Sequence, residues 1–94
     1  MKVKVKFFTV LREITQKREE EIELPNAATV ERLINLLSER HGRKFTEYVY
    51  GEAKKVRSDL QFLVNGRSTT TLQGFKTKLE NGDKVAILPP VGGG

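Results

Sequence analysis

The sequence predicts an α+β domain in which one main helix packs across a mixed sheet of four or five strands. Three observations carry this expectation. Apolar and polar residues alternate near the N-terminus and again past the middle of the chain. A single apolar stripe with helical spacing lies between them. Asn-Gly and Asn-Gly-Asp turn signals punctuate the second half. Two hairpins around one helix favour a layered arrangement with the helix across one sheet face.

The first element is residues 2–8. Val3, Val5 and Phe7 fall on one face, and Lys2, Lys4, Lys6 and Phe8 on the other. Period two marks a half-buried strand whose lysine row faces solvent. Phe8 breaks that pattern, because a large aromatic stands where a polar residue is expected. Residues 9–18 carry polar and charged groups and read as a turn. Alternation resumes from Glu20 to Leu24, with Ile22 and Leu24 on one face, and Pro25 has no N–H with which to continue a strand. These two strands are expected to form an antiparallel hairpin.

Thr29 is a plausible N-cap, and Val30, Leu33, Ile34 and Leu37 follow at i, i+3, i+4 and i+7, which is one apolar stripe on a helix. Glu31 in the first turn and Arg40 in the last both suit the helix dipole. Gly42 is placed to end the helix in a left-handed conformation. His41, the one histidine, then sits at a helix C-terminus, where its positive form is favoured and a structural role outweighs a catalytic one. Phe45, Tyr48 and Val49 have the spacing of a short second helix. Residues 51–59 read as a loop.

Leu60, Phe62 and Val64 alternate as a third strand. Asn65-Gly66 follows, a hairpin signal because both residues tolerate positive φ, and residues 67–71 are expected to return as a short strand. Leu72, Phe75 and Leu79 lie in a connector. Asn81-Gly82-Asp83 makes a further turn, and Val85-Ala86-Ile87-Leu88 is a short apolar run suited to a strand inside the sheet. The domain is therefore expected to span residues 1–88, with residues 89–94 as an extended tail.

Composition narrows the chemistry. Ninety-four residues suit one small domain with a simple core. The 37% hydrophobic and 31% charged residues fit a folded globule rather than a disordered chain. Without cysteine there is no disulfide, thiolate metal site or cysteine nucleophile, and one histidine does not make a zinc site. Catalytic and metal-ligating residues are therefore expected to be none, and no bound cofactor is expected. No nucleophile elbow, phosphate-binding loop or dinucleotide-binding glycine motif is present. The net charge of +5 is spread among acids such as Glu19-Glu20-Glu21 and Glu23, and no basic stretch is interleaved with stacking aromatics. Nucleic-acid binding is not expected. The alternating start, Met1-Lys2-Val3-Lys4-Val5-Lys6, is not a signal peptide, and no window approaches the ~20 apolar residues of a membrane span. A cytoplasmic protein, monomeric when free, is the expectation.

The tail, Pro89-Pro90-Val91-Gly92-Gly93-Gly94, carries the functional signal. Ordering three glycines is entropically costly, and they bury no side chain in their own domain. Without side chains they can thread a channel only as wide as a backbone. Pro89 and Pro90 stop the sheet and favour an extended exit. At ~3.1–3.6 Å per residue, six residues reach roughly 20 Å. The carboxylate of Gly94 is ionised at neutral pH and is a poor electrophile, so it must be activated, most simply as a mixed anhydride with AMP. An amine can then displace AMP to give an amide, or sulfur can be added to give a thiocarboxylate. Since the domain offers no catalyst for either step, a separate ATP-using enzyme is implied.

These residues resemble a known family. Val5-Lys6-Phe7-Phe8 with Leu11-Arg12-Glu13, Leu63-Val64-Asn65-Gly66, and Asn81-Gly82-Asp83-Lys84-Val85-Ala86-Ile87-Leu88-Pro89-Pro90-Val91 running into the glycines look like the ubiquitin-like β-grasp sulfur carriers and modifiers. The similarity is strongest to the small subunit of molybdopterin synthase (MoaD-like) and to small archaeal modifier proteins. The resemblance implies that an E1-like enzyme adenylates Gly94 with ATP. The acyl group then becomes a thiocarboxylate that delivers sulfur to a molybdopterin synthase large subunit or another acceptor, or is joined to lysines of target proteins. Which of these applies is left open. It also implies docking through an apolar sheet surface near the tail, at positions matching Phe8, Arg12 and Leu88, which accounts for the misplaced aromatic. Pro89, Pro90, Val91 and Gly92 would fill the partner's channel. Gly92 stands where relatives commonly have Ser, Thr or another small residue before the glycine pair, so the reactive pair is Gly93-Gly94. Ser68 falls where some molybdopterin synthase small subunits place an apolar docking residue, which favours a modifier or a broader carrier role. The competing expectation is a non-covalent interaction module on the same fold, which would not need the terminal glycines.

Overall fold

The computed structural model describes residues 1–51 and 55–90. In chain order its elements are β1 (Lys2–Phe7), α1 (Val10–Thr15), β2 (Glu19–Glu23), α2 (Val30–His41), α3 (Arg43–Tyr50), β3 (Gln61–Val64), β4 (Arg67–Ser68) and β5 (Lys84–Leu88). Single 3-10 turns occupy Thr69–Thr71 and Gly74–Lys76.

The five strands form one sheet in the order β2-β1-β5-β3-β4. β1 and β5 run parallel in the centre, with Val5 beside Val85 and Phe7 beside Ile87. Every other pairing is antiparallel. This is the expected β-grasp: two hairpin-like halves joined by central parallel strands, with α2 across one face.

Period-two alternation decides which face is which. Val3, Val5, Phe7, Ile22, Phe62, Val64, Val85 and Ile87 turn inward and are buried against Val30, Leu33, Ile34 and Leu37 of α2 and Phe45 and Val49 of α3. Phe7 and Phe45 meet edge to face with centroids 6.4 Å apart, and His41 closes the group at 5.9 Å from Phe7. Edge-to-face pairs of this kind contribute about 0.5–1.5 kcal/mol beyond the area they bury.

α2 begins where the capping signal places it, with Thr29 Oγ1 accepting from the Arg32 N–H at 3.2 Å. It ends at Gly42, whose N–H donates to Ser38 O at 2.9 Å. The φ of 80° is positive as expected, but ψ of −156° is extended rather than left-handed helical. The difference lets the chain restart at once as α3. Asn65 and Gly66 both adopt positive φ, 51° and 83°. Asn65 also ties its turn to the one before β5, donating to Asp83 Oδ1 at 2.9 Å and accepting from the Lys84 N–H at 2.9 Å.

Two expectations need correction. Residues 9–18 are not only a turn, because they contain α1. Its inward positions are Leu11 and Thr15, and Thr15 hides its hydroxyl by donating to Leu11 O at 2.8 Å. The return strand after Gly66 stops at Ser68 and passes into a 3-10 turn, where Ser68 Oγ accepts from the Thr70 N–H at 3.3 Å.

Glu20 opens the alternating stretch and belongs to an acidic run, and it is buried. It shares the inward face of β2 with Ile22. His41 Nε2 lies 2.7 Å from its Oε1, while Arg40 Nη1 at 2.7 Å and Lys17 Nζ at 3.2 Å meet its Oε2. Burial pushes the Glu20 carboxyl up. Hydrogen bonds from Arg40, His41 and Lys17 outweigh that and hold it below the ordinary value of 4.5. A carboxylate with a depressed folded-state pKa stabilises fully above its unfolded value, and that stability disappears as pH falls through the folded value. Glu20→Gln is expected to cost about 1–3 kcal/mol at neutral pH and to flatten the loss of stability below pH 4.5. Thermal unfolding followed across pH checks this, and an unchanged acid limb in the variant would assign the limb to other groups.

Candidate functional site

The parallel β1–β5 pair places the site. Parallel neighbours end at the same edge of the sheet, so the chain leaving β5 at Leu88 emerges beside the end of β1 and the start of α1. Pro89 and Pro90 lie here, half-buried and outside regular structure. Pro has no N–H for the ladder, which stops β5 at this point. Val91, Gly92, Gly93 and Gly94, the remainder of the expected tail and its reactive pair, lie outside the described residues.

The outward face of the sheet at this end is apolar. One residue beyond the Phe7–Ile87 pair, along both strands, come Phe8 and Leu88. Leu88 is opposite Gln61, and Leu63 lies between Ala86 and Ser68. Phe8, Leu63, Ala86 and Leu88 are all half-buried on the side away from the helices, and Val10 at the start of α1 is 40% exposed. Partly accessible apolar side chains grouped on one face make this end of the sheet a candidate contact surface. The predicted docking residues Phe8 and Leu88 are thus brought together. Arg12 joins them from α1. Its Nε donates to Phe7 O at 3.3 Å and its guanidinium lies 5.6 Å from the Phe8 ring centroid. Such a cation over an aromatic face is attracted by the ring quadrupole.

Leu63 and Ala86 were not singled out from sequence. Leu63 lies between the two buried residues of β3, so strict alternation could have marked it as an apolar residue on the outer face. Ser68 is opposite Leu63 and half-buried. It contributes a hydroxyl, shared with Thr70 Oγ1 at 2.8 Å, where a docking surface would gain from an apolar group.

Farther back along the same face, Lys2 and Lys4 pair with Glu21 and Glu19 at 3.7 and 3.8 Å. Both pairs are exposed and contribute little to stability. A cavity of about 430 Å³ beside α2 and α3 is lined in part by Ile34, Asn35, Tyr50 and Phe75. Among the described residues no group of His, Asp and Glu is placed to hold a metal ion, and no helix is long and apolar enough to cross a membrane.

The profile of the ThiS family matches residues 5–94. This chain belongs to the ThiS family. Comparison with curated proteins and solved structures places it among ubiquitin-like sulfur carriers and small archaeal modifiers. Small archaeal modifier protein 3 of Haloferax volcanii is 29% identical across the full length of both chains. The structure of a Pyrococcus furiosus protein, provisionally called molybdopterin converting factor subunit 1, is 42% identical. It has a TM-score of 0.78 and covers 96% of this chain and 98% of its own. A chain in the crystal structure of the Amycolatopsis orientalis BexX/CysO complex is 28% identical. Its TM-score is 0.76, with coverage of 98% and 99%. By name, relatives of this chain include a modifier protein, a provisionally named sulfur carrier protein and a subunit of a molybdopterin converting factor. The match of the ThiS profile runs through the glycines, so the tail belongs to the family pattern as much as the sheet does.

Proposed function

We propose that residues 1–88 serve as a recognition domain that presents residues 89–94 to partner enzymes, with the carboxylate of Gly94 as the group that reacts. One observation carries this reading: the parallel β1–β5 pair puts the exit of the tail next to the apolar cluster of Phe8, Leu63, Ala86 and Leu88. A partner that binds the cluster receives the tail at its own catalytic centre.

The chemistry follows from the carboxylate. An E1-like enzyme joins Gly94 to AMP from ATP and releases pyrophosphate, giving a mixed anhydride. Hydrosulfide then attacks the acyl carbon, loses its proton and displaces AMP, leaving a thiocarboxylate. Alternatively a lysine amine attacks, loses a proton and forms an isopeptide bond while AMP departs. ATP belongs to the activating enzyme, and the chain itself contributes geometry. Pro89, Pro90, Val91 and Gly92 act as the stem, and Gly93 and Gly94 as the tip. A relative named a modifier and another named a sulfur carrier support both outcomes, and the existence of a BexX/CysO complex supports docking onto a partner protein. Candidate acceptors are a molybdopterin synthase large subunit, another sulfur acceptor, or lysines of target proteins.

The intact mass of the protein isolated from its native cells tests this. Replacement of one oxygen by sulfur at Gly94 is the expected mark of a sulfur carrier. Other proteins carrying a lysine linked to Gly94 are the mark of a modifier. Finding neither, in cells where the protein is abundant and ATP is plentiful, would favour a non-covalent interaction module on the same fold.

A further inference from the structure

The end of β1 carries a charge feature at the margin of the apolar cluster, sharing Phe8 and Arg12 with it. Lys6, Arg12 and Arg18 line one shallow concavity of about 250 Å³, together with Phe7, Phe8 and Glu19. Elsewhere on β1 the sheet neutralises its own lysines, pairing Lys2 with Glu21 and Lys4 with Glu19. Lys6, Arg12 and Arg18 form no ion pair among the described residues. Glu19 is opposite Lys6 in register, but its carboxylate is directed to Lys4 at 3.8 Å. Arg12 is held in place by its Nε bond to Phe7 O and its position over the Phe8 ring, so its terminal nitrogens remain for another acceptor. A fixed guanidinium is suited to bidentate binding of a carboxylate.

We propose that Lys6, Arg12 and Arg18 form a cationic rim around Phe8 that receives carboxylate side chains from an acidic surface of the protein that handles the tail. This rests on the docking role proposed above and adds the chemistry of the partner. Complementary charge at the rim of an apolar contact speeds encounter and fixes register more than it tightens the final complex. A protein surface suits the site better than a nucleic acid. The cations converge on one corner beside apolar side chains and do not continue as a stripe along the sheet, where Lys2 and Lys4 are already paired with Glu21 and Glu19, whereas a phosphate backbone is bound by cations spread along its length.

The test uses the full chain and the E1-like enzyme purified from the native cells, with activation read as ATP-dependent pyrophosphate exchange. Lys6→Glu with Arg18→Glu is expected to raise KM about tenfold or more at low salt and to leave kcat near wild type, with the difference shrinking as salt is added. Because Glu at position 6 would face Glu19, Lys6→Ala with Arg18→Ala provides a milder version, expected to show a smaller shift of the same kind. Arg32→Glu with Lys76→Glu, on the helix side of the molecule, changes net charge equally and is expected to leave KM unchanged. Equal KM shifts in both charge-reversed proteins, or none in either rim variant while the wild type is activated, would overturn the rim and leave the tail chemistry standing. Absence of activation in the wild type would remove the underlying reading as well. Tight binding of a single-stranded RNA oligonucleotide by the wild type, lost in the rim variants alone, would reassign these cations to nucleic acid.

Discussion

Removal of Gly93 and Gly94 is expected to abolish ATP-dependent activation while leaving the melting temperature of the domain unchanged. The reach of the tail decides the size of the effect. Each extended residue contributes at most ~3.3–3.6 Å, so losing two withdraws the terminal carboxylate by about 7 Å. A misplacement near 1 Å can cost about 100-fold in a positioned reaction, so the shortened tail is expected to fall below detection in pyrophosphate exchange. The fold has no comparable stake in these residues. Its last strand ends at Leu88, and its core is built from residues of four of the five strands, the three helices and the turns that join them. Adding one alanine after Gly94 provides a complementary variant, since it keeps every native residue but moves the carboxylate beyond its normal position. If the shortened protein were still adenylated, Gly94 could not be the activated residue. If it were inactive and also unfolded, the loss would say nothing about the tail, which is why both measurements are made on one preparation.

How far the sequence could lead is visible in particular residues. Val30, Leu33, Ile34 and Leu37 announced α2 because all four face the core and none is masked by a polar neighbour. Asn65-Gly66 announced its turn because the backbone requires positive φ at both positions. α1 stayed hidden because it is only six residues long and fully buries just Leu11 and Thr15, so Leu11 and the partly buried Ile14 supply too short an apolar stripe to stand out from the charged residues around it. Glu20 was obscured by its acidic neighbours. The alternation that placed Ile22 and Leu24 inward placed Glu20 on the same face. Yet a buried carboxylate becomes credible only when Lys17, Arg40 and His41 are seen to converge on it from two other segments. The docking surface shows the same limit. Phe8 was noticeable in sequence as an aromatic on a lysine face. That Leu63 and Ala86 continue its surface depends on which strands are neighbours, and β1 and β5 are separated by most of the chain. Nothing in local pattern specifies the central parallel pair, although that pair brings the tail beside the docking residues.

Phe7 and Phe8 offer the sharpest test of this division between core and contact surface, because they are adjacent in sequence and opposite in role. Phe7 is fully buried, in contact with Phe45 and His41. Its truncation to alanine is expected to cost about 3–5 kcal/mol, a large fraction of the ~5–15 kcal/mol that holds a small domain together. At about 4 °C or more per kcal/mol for a chain of this size, the melting temperature is expected to fall by at least about 12 °C. Phe8 is half-buried on the outer face and touches Arg12 rather than the core. Phe8→Ala is therefore expected to cost no more than about 1.5 kcal/mol of stability. Because Phe8 is central to the proposed docking surface, Phe8→Ala is expected to weaken recognition by the activating enzyme by about 2 kcal/mol, roughly 30-fold in KM. Thermal unfolding and pyrophosphate exchange on the two variants separate these effects. A Phe8→Ala protein that melts like Phe7→Ala would make Phe8 a core residue. One that keeps both stability and KM would move the docking surface elsewhere on the sheet. Only a stable domain with an impaired KM fits a strand that spends one face on folding and the other on its partner.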